Sequence, residues 1–260
     1  MILGYLGAVL IGVVLGLIGG GGSILTVPIL VYLIGIEPLL ATSYSLFVVG
    51  ATAGVGTLKN AFKGFINFKV GGVFAIPSFI AVYITRRYVI TAIPKTIMIL
   101  GGVNISKDTF IMLLFATLMA IAAYFMIVNR SNFQVKDKDL NYFKISLDGL
   151  LVGFLTGLVG AGGGFLIIPA LVILANLDMK NAIATSLFII TVKSLFGFLG
   201  DVQSQVIDWS FLLTFTLFAV SGIFIGMFFG TSIDSKPLKK IFGWFVLTIA
   251  IFIIVVEFLN

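Results

Sequence analysis

The chain has 260 residues, 60% of them hydrophobic and 10% charged, with a mean hydropathy of +1.23, which excludes a water-soluble globular domain. It contains no cysteine and no histidine, which removes disulfides, thiolate or imidazole metal sites, and Ser-His or Cys-His nucleophile chemistry. The formal net charge of +6 sits in short loops and suits the positive-inside distribution of a membrane protein better than nucleic-acid binding.

Residues 1–36, 38–58, 109–129, 149–177 and 209–233 carry no charged side chain, and each run is near or above the roughly 20 residues that a spanning helix needs. Short period-2 alternation is absent, so the expected class is an all-α membrane protein, not a barrel. The opening MILGYLGAVLIGVVLGLI lacks the basic start and cleavage site of a signal peptide and reads as structure. In chain order the expected helices are 2–18, 23–35, 41–58, 70–85 and 108–128. A second set follows at 145–159, 165–175, 182–200, 209–230 and 241–256.

The two sets are copies of one unit. GLIGGGGSILTVPILVYLIGIEPLLATSYSLF, from Gly16, aligns without a gap on GLVGAGGGFLIIPALVILANLDMKNAIATSLF, from Gly157. Gly19, Gly21, Gly22, Pro28, Ser45, Leu46 and Phe47 fall on Gly160, Gly162, Gly163, Pro169, Ser186, Leu187 and Phe188. Further on, Ile66, Asn67 and Phe68 meet Ile207, Asp208 and Trp209. The expected organisation is a first transmembrane repeat over 1–128, a polar linker over 129–144 and a second repeat over 145–260. The first copy carries an insertion around Tyr88 to Asn104 that the second lacks. If the short segments after the glycines count as crossings, each copy has five and the copies are inverted. One side then collects Lys59, Lys63, Lys69, Arg130, Lys136, Lys138, Lys144, Lys180, Lys236, Lys239 and Lys240, and the other keeps Arg86, Arg87, Lys95 and Lys107. The positive-inside rule favours this arrangement, with both termini outside. Segments of 11–13 residues are short for full crossings, and a re-entrant path is the alternative.

Gly19 to Gly22 and Gly162 to Gly164 interrupt apolar helices, which is costly in lipid unless the freed backbone groups are buried in protein or line a cavity. A helix restarting after such a break presents unpaired N–H groups and the positive end of its dipole, a ready anion site. Paired breaks in two halves point to a transporter site near the midplane. Close packing through small residues is the competing reading. The candidate main-chain donors are Gly20, Gly21, Gly22 and Ser23 in the first copy and Gly162, Gly163 and Gly164 in the second. Thr42, Ser43, Tyr44, Ser45, Thr185 and Ser186 are placed at the starts of the next helices. There they cap those helices or, for Ser43, Ser45, Thr185 and Ser186, hydrogen-bond the anion. Lys193 lies inside the apolar run ATSLFIITVKSLFGFLG, and an intramembrane lysine is a functional candidate by default. Its structural alternative is snorkelling or a pair with Asp201; Thr52 occupies the matching place in the first copy. Asn60, Asn67, Asp201 and Asp208 recur at helix ends and read as structural turn residues.

The doubled GLIGGGGSILTVPIL…ATSYSLF and GLVGAGGGFLIIPAL…AIATSLF, with the later IDW, resembles the sulfite exporter TauE/SafE family over nearly the whole chain. The resemblance implies a multi-pass permease of the cell inner membrane that handles sulfite, sulfonates or related sulfur anions, with the paired glycine segments facing each other on the substrate path. The insertion and Lys193 depart from the pattern. The expected function is therefore transport of a small anion by alternating access between two repeats, with no cofactor and no catalytic residue. The bilayer is a partner, protons or sodium are candidate coupling ions, and nucleic acid is not a partner. An anion channel or a non-transporting membrane subunit is the alternative. An intramembrane hydrolase lacks its nucleophile and base, and a nucleotide-driven pump lacks its phosphate loop.

Overall fold

The computed structural model describes residues 2–99, 103–128, 140–203, 205–230 and 235–259. Most of the expected linker, including Arg130, Lys136 and Lys138, lies outside the described residues.

The chain is an all-α membrane protein. The first unit comprises α1 (Ile2–Ile18), a 3-10 turn (Gly20–Gly22), α2 (Ser23–Pro28), α3 (Pro38–Phe62), α4 (Phe68–Ile84), α5 (Ile90–Ala92) and α6 (Lys107–Ile127). The second comprises α7 (Tyr142–Val159), α8 (Gly164–Leu174), α9 (Met179–Asp201), α10 (Trp209–Phe229) and α11 (Ser235–Leu259). Among the described residues seven helical stretches are long and apolar enough to cross a membrane, and Ile2–Ile18, Gly20–Leu33 and Gly164–Leu174 are shorter apolar helices. All ten expected helices are present. The insertion forms an antiparallel hairpin of β1 (Thr96–Ile99) and β2 (Val103–Ser106), with Ile97 opposite Ile105.

Local chemistry explains the boundaries. Asn67, Ser106, Asn141 and Asp208 each accept a backbone N–H of the first turn that follows, at α4, α6, α7 and α10, the usual remedy for orphan donors at a helix start. The structural reading of Asn67 and Asp208 therefore holds. Pro38 opens α3, where its missing N–H costs nothing. Pro28 sits inside α2 and the backbone widens to a π-helical turn over Ile29–Leu33 directly after it, as expected where the ladder loses a donor. A second π-helical turn, Thr85–Val89, prolongs α4 into α5.

Small residues bring the helices together, since lipid offers no hydrophobic gain between apolar helices. On the α1–α10 interface Gly222 and Gly226 lie against the backbone of Val9 and Val13. On the α4–α7 interface Gly149 and Gly153 lie against the backbone of Phe74 and Ser78, and Gly157 against Thr85. In both pairs contact positions rise together, so the helices run parallel. In α3 and α9, Gly50 meets Leu195 whereas Gly54 meets Thr191, so these two run antiparallel. The first helix of each unit thus packs on the fourth helix of the other. Gly7 of α1 touches Ile29 and Gly4 touches Ile34, so the stretch after the glycines doubles back along α1 to the level where it began.

Candidate functional site

Both glycine turns are buried at the centre of the bundle, from Gly19 to Gly22 and from Gly160 to Gly164. Gly19, Gly160 and Gly163 have φ of 74°, 67° and 66°, a region that a side chain would strain. A methyl group added at Gly20 or at Gly164 would collide with the backbone of the other. The turns therefore meet face to face in a closed arrangement, with main chain against main chain.

Two helix stripes flank them. On α3, Val49 touches Gly162, and Ser45 and Thr52 lie four residues before and three after it, on the same face. On α9, Ile190 touches Gly162 and Gly164, and Ser186 and Lys193 occupy the corresponding places. Lys193 is 1% exposed. Its Nζ donates to Thr156 Oγ1 at 2.6 Å, and a methyl group at Gly163 would meet Nζ at 2.8 Å. Thr156 is its one hydrogen-bond partner among the described residues, and Thr156 in turn donates to the Val152 carbonyl at 2.7 Å. The alternative pairing of Lys193 with Asp201 is not formed, since Asp201 pairs with Arg86. Among the described residues the buried hydroxyls of Ser45, Thr52 and Ser194, the last beside Lys193, have no hydrogen-bond partner, and the same holds for Thr26, Ser78 and Thr85; such groups are uncommon inside proteins and call for an explanation.

The remaining expected residues are used otherwise. Ser23 Oγ donates to the Gly20 carbonyl at 2.7 Å and so braces the first turn. Ser186 Oγ donates to the Ile183 carbonyl at 2.8 Å. Thr185 Oγ1 accepts the Asn67 N–H at 3.0 Å, and the matching Tyr44 hydroxyl accepts the Asp208 N–H at 2.7 Å, so one inter-unit tie is made twice with different side chains. None of these hydroxyls caps its own helix. The helices start at Pro38 and Met179, earlier than the sequence suggested, which puts Thr42 to Ser45 and Thr185 to Ser186 in the second turn. Ser43 and Thr42 belong to a different cluster.

That cluster surrounds Arg86, which the sequence reading assigned to a loop. Because α4 continues through its π-helical turn, Arg86 is instead fully buried. Its Nε donates to Asp201 Oδ2 at 2.7 Å, and Nη2 donates to Ser43 Oγ at 2.7 Å and to the same Asp201 oxygen. Nη1 donates to Thr42 Oγ1 at 3.0 Å and to the Gly157 carbonyl at 3.3 Å. All five N–H donors of the guanidinium are thus in use. The reading of Asp201 as a turn residue is corrected accordingly, since it is the buried counter-ion of Arg86. Sequence gave one hint: Asp201 ends a helix otherwise free of acids. Thr156 left none.

Comparison with known proteins agrees with the architecture. The family described as Sulfite exporter TauE/SafE matches residues 4–253. The chain is 29% identical over 252 residues to a probable membrane transporter protein of Xylella fastidiosa (strain 9a5c), covering 94% of this chain and 91% of that one. It is 28% identical over 244 residues to the probable membrane transporter protein YunE of Bacillus subtilis (strain 168), covering 88% and 86%. It is also 28% identical over 264 residues to a probable membrane transporter protein of Haemophilus influenzae, covering 93% of each. No solved structure matches. With its apolar helices and a family match over almost its entire length, the chain belongs to the sulfite exporter TauE/SafE family of multi-pass membrane transporters.

Proposed function

We propose that the protein carries a small anion, a sulfite, organosulfonate or related sulfur oxyanion, through a central site built from Lys193, the two glycine turns and the hydroxyls of Ser45 and Thr52. One observation carries the reading: a lysine side chain buried against a glycine turn with, among the described residues, a single neutral hydrogen-bond partner. A buried charge is costly without a counter-charge, and an arriving oxyanion supplies both that charge and acceptors for the remaining ammonium donors. Backbone N–H groups at the start of α8, which have no intrahelical carbonyl to bond, add a favourable dipole. The unpartnered hydroxyls of Ser45 and Thr52 fit further contacts once the turns part.

In the same reading, 1–128 and 145–260 are inverted repeats that exchange access to the site. The antiparallel packing of the equivalent helices α3 and α9 supports inversion, because an axis along the membrane normal would leave them parallel. Lys69 over the Tyr142 ring at 4.9 Å and Lys180 over the Phe65 ring at 3.9 Å gather basic residues at one end, the cytoplasmic one by the positive-inside rule. Arg86 and Lys107 stand at the other.

The test is a thermal-shift screen of purified protein against sulfite, sulfate, thiosulfate, an alkyl sulfonate and acetate, since a ligand of the folded state raises its melting temperature. At least one sulfur oxyanion is expected to do so, and Lys193→Met is expected to abolish the shift while expressing normally. An equal shift in that variant, or none with any anion, overturns the reading. Saturable uptake of the binding anion into proteoliposomes distinguishes a carrier from a channel.

A further inference from the structure

The Arg86 cluster joins the two units to each other at one end of the bundle only. Arg86, Thr42 and Ser43 come from the first unit; Asp201 and the Gly157 carbonyl come from the second. Any movement of one unit against the other must stretch this network. At the opposite end the positions equivalent to Arg86, Asp201, Thr42, Ser43 and Gly157 are Met227, Asn60, Ile183, Ala184 and Gly16. Four of those five side chains are apolar or absent, and Asn60 Nδ2 donates to the Gly56 carbonyl of its own helix at 2.9 Å. Ile183 there packs on Gly19. The repeat thus places a buried, five-bond ionic network at one end, while the ties described at the other, Asn67 N–H to Thr185 and Thr57 to Thr191, are neutral.

We propose that Arg86 and Asp201 form the gate on the end of the bundle where α4 and α9 finish, holding that end shut while the opposite end, joined by neutral contacts without an ion pair, parts more readily. A buried ion pair contributes little net stability because desolvation offsets its attraction. Its geometry is demanding, however, so it stabilises one arrangement of the two units against others. Asp201 lies eight residues beyond Lys193 on α9, about 12 Å along the helix axis, so the gate closes one exit from the central site without being part of it. Arg86 is here a positioning residue for transport. The inference rests on the carrier reading above, but its test needs no substrate, so the two can fail separately.

The chain has no cysteine, and Ser45, buried between the gate residues Thr42 and Ser43 and the central Val49, serves as a reporter position. Ser45→Cys is reconstituted in vesicles of both orientations and treated with a membrane-impermeant maleimide. In the otherwise native chain, labelling is expected to be slow from the Arg86 end. Adding Asp201→Asn should raise the rate from that end by about tenfold or more, with the rate from the opposite end unchanged. Because a lone buried Arg86 could prevent folding, the double change Arg86→Met with Asp201→Leu, which removes both charges, is run in parallel. The same one-sided rise is expected of it. A folded double variant that stays slow from the Arg86 end, or becomes faster from both ends alike, overturns the gate.

Discussion

Lys193 and Arg86 are both basic side chains buried inside the bundle, and their hydrogen-bonding surroundings are opposite. Arg86 has five hydrogen bonds, a carboxylate among its partners, and no donor to spare. Lys193 has one hydroxyl. The two residue types suit these settings: a guanidinium is a planar fork that fits fixed multidentate partners, whereas an ammonium is a compact point charge on a flexible stem. The comparison teaches that burial of a charge inside a membrane protein does not by itself mark a binding group. Unfilled donors are what the proposed anion site requires, and Lys193, with one partner among the described residues, has them.

The sharpest way to break this contrast is to remove Asp201. Asp201→Leu alone should cost about 3–5 kcal/mol, the usual penalty for stranding a buried charge, read as a loss of thermal stability in detergent. Arg86→Met in the same chain should restore most of it. Were the single change mild, Arg86 would have other compensation and the two cations would be alike. A smaller effect is expected from Gly163→Ala. Its methyl group must adopt φ near 66° and would meet Lys193 Nζ and Thr156, which should cost about 1–3 kcal/mol and abolish any anion-induced rise in melting temperature. Retained anion response in a folded Gly163→Ala protein would separate Lys193 from the turn. The smallest effect belongs to Thr156→Val, which removes the one partner of Lys193. It should lower stability by about 1 kcal/mol while preserving the anion response, since the ligand and not Thr156 supplies the counter-charge. Loss of that response would make Thr156 part of the anion site.

Much of this was legible in the sequence, and the reasons are local. Each of the ten expected helices is an apolar run with at most one charged residue, and the glycine turns break two of those runs at matching places. Lys193 was visible because a lysine inside such a run has nowhere obvious to go. Arg86 was not, because the π-helical turn that carries it inward continues α4 past the point where apolar composition ends. The hydroxyls of Thr42 and Ser43 also gave no sign of their role. They look like helix caps, and become guanidinium acceptors only because α3 begins a turn earlier at Pro38.

The order of glycine, proline and serine along the chain, and the length of its apolar runs, therefore determined the membrane class, the duplication and the place of the helix breaks, since each follows from what one stretch of backbone tolerates in lipid. Only the tertiary structure decided which first helix packs on which fourth helix, that the two glycine turns touch, and that Arg86 finds Asp201 across 115 residues of sequence. Such pairings depend on where helices from different units come to lie, and no local pattern records that. The charge of a residue is written in the chain, but the partner it meets in the folded bundle is not.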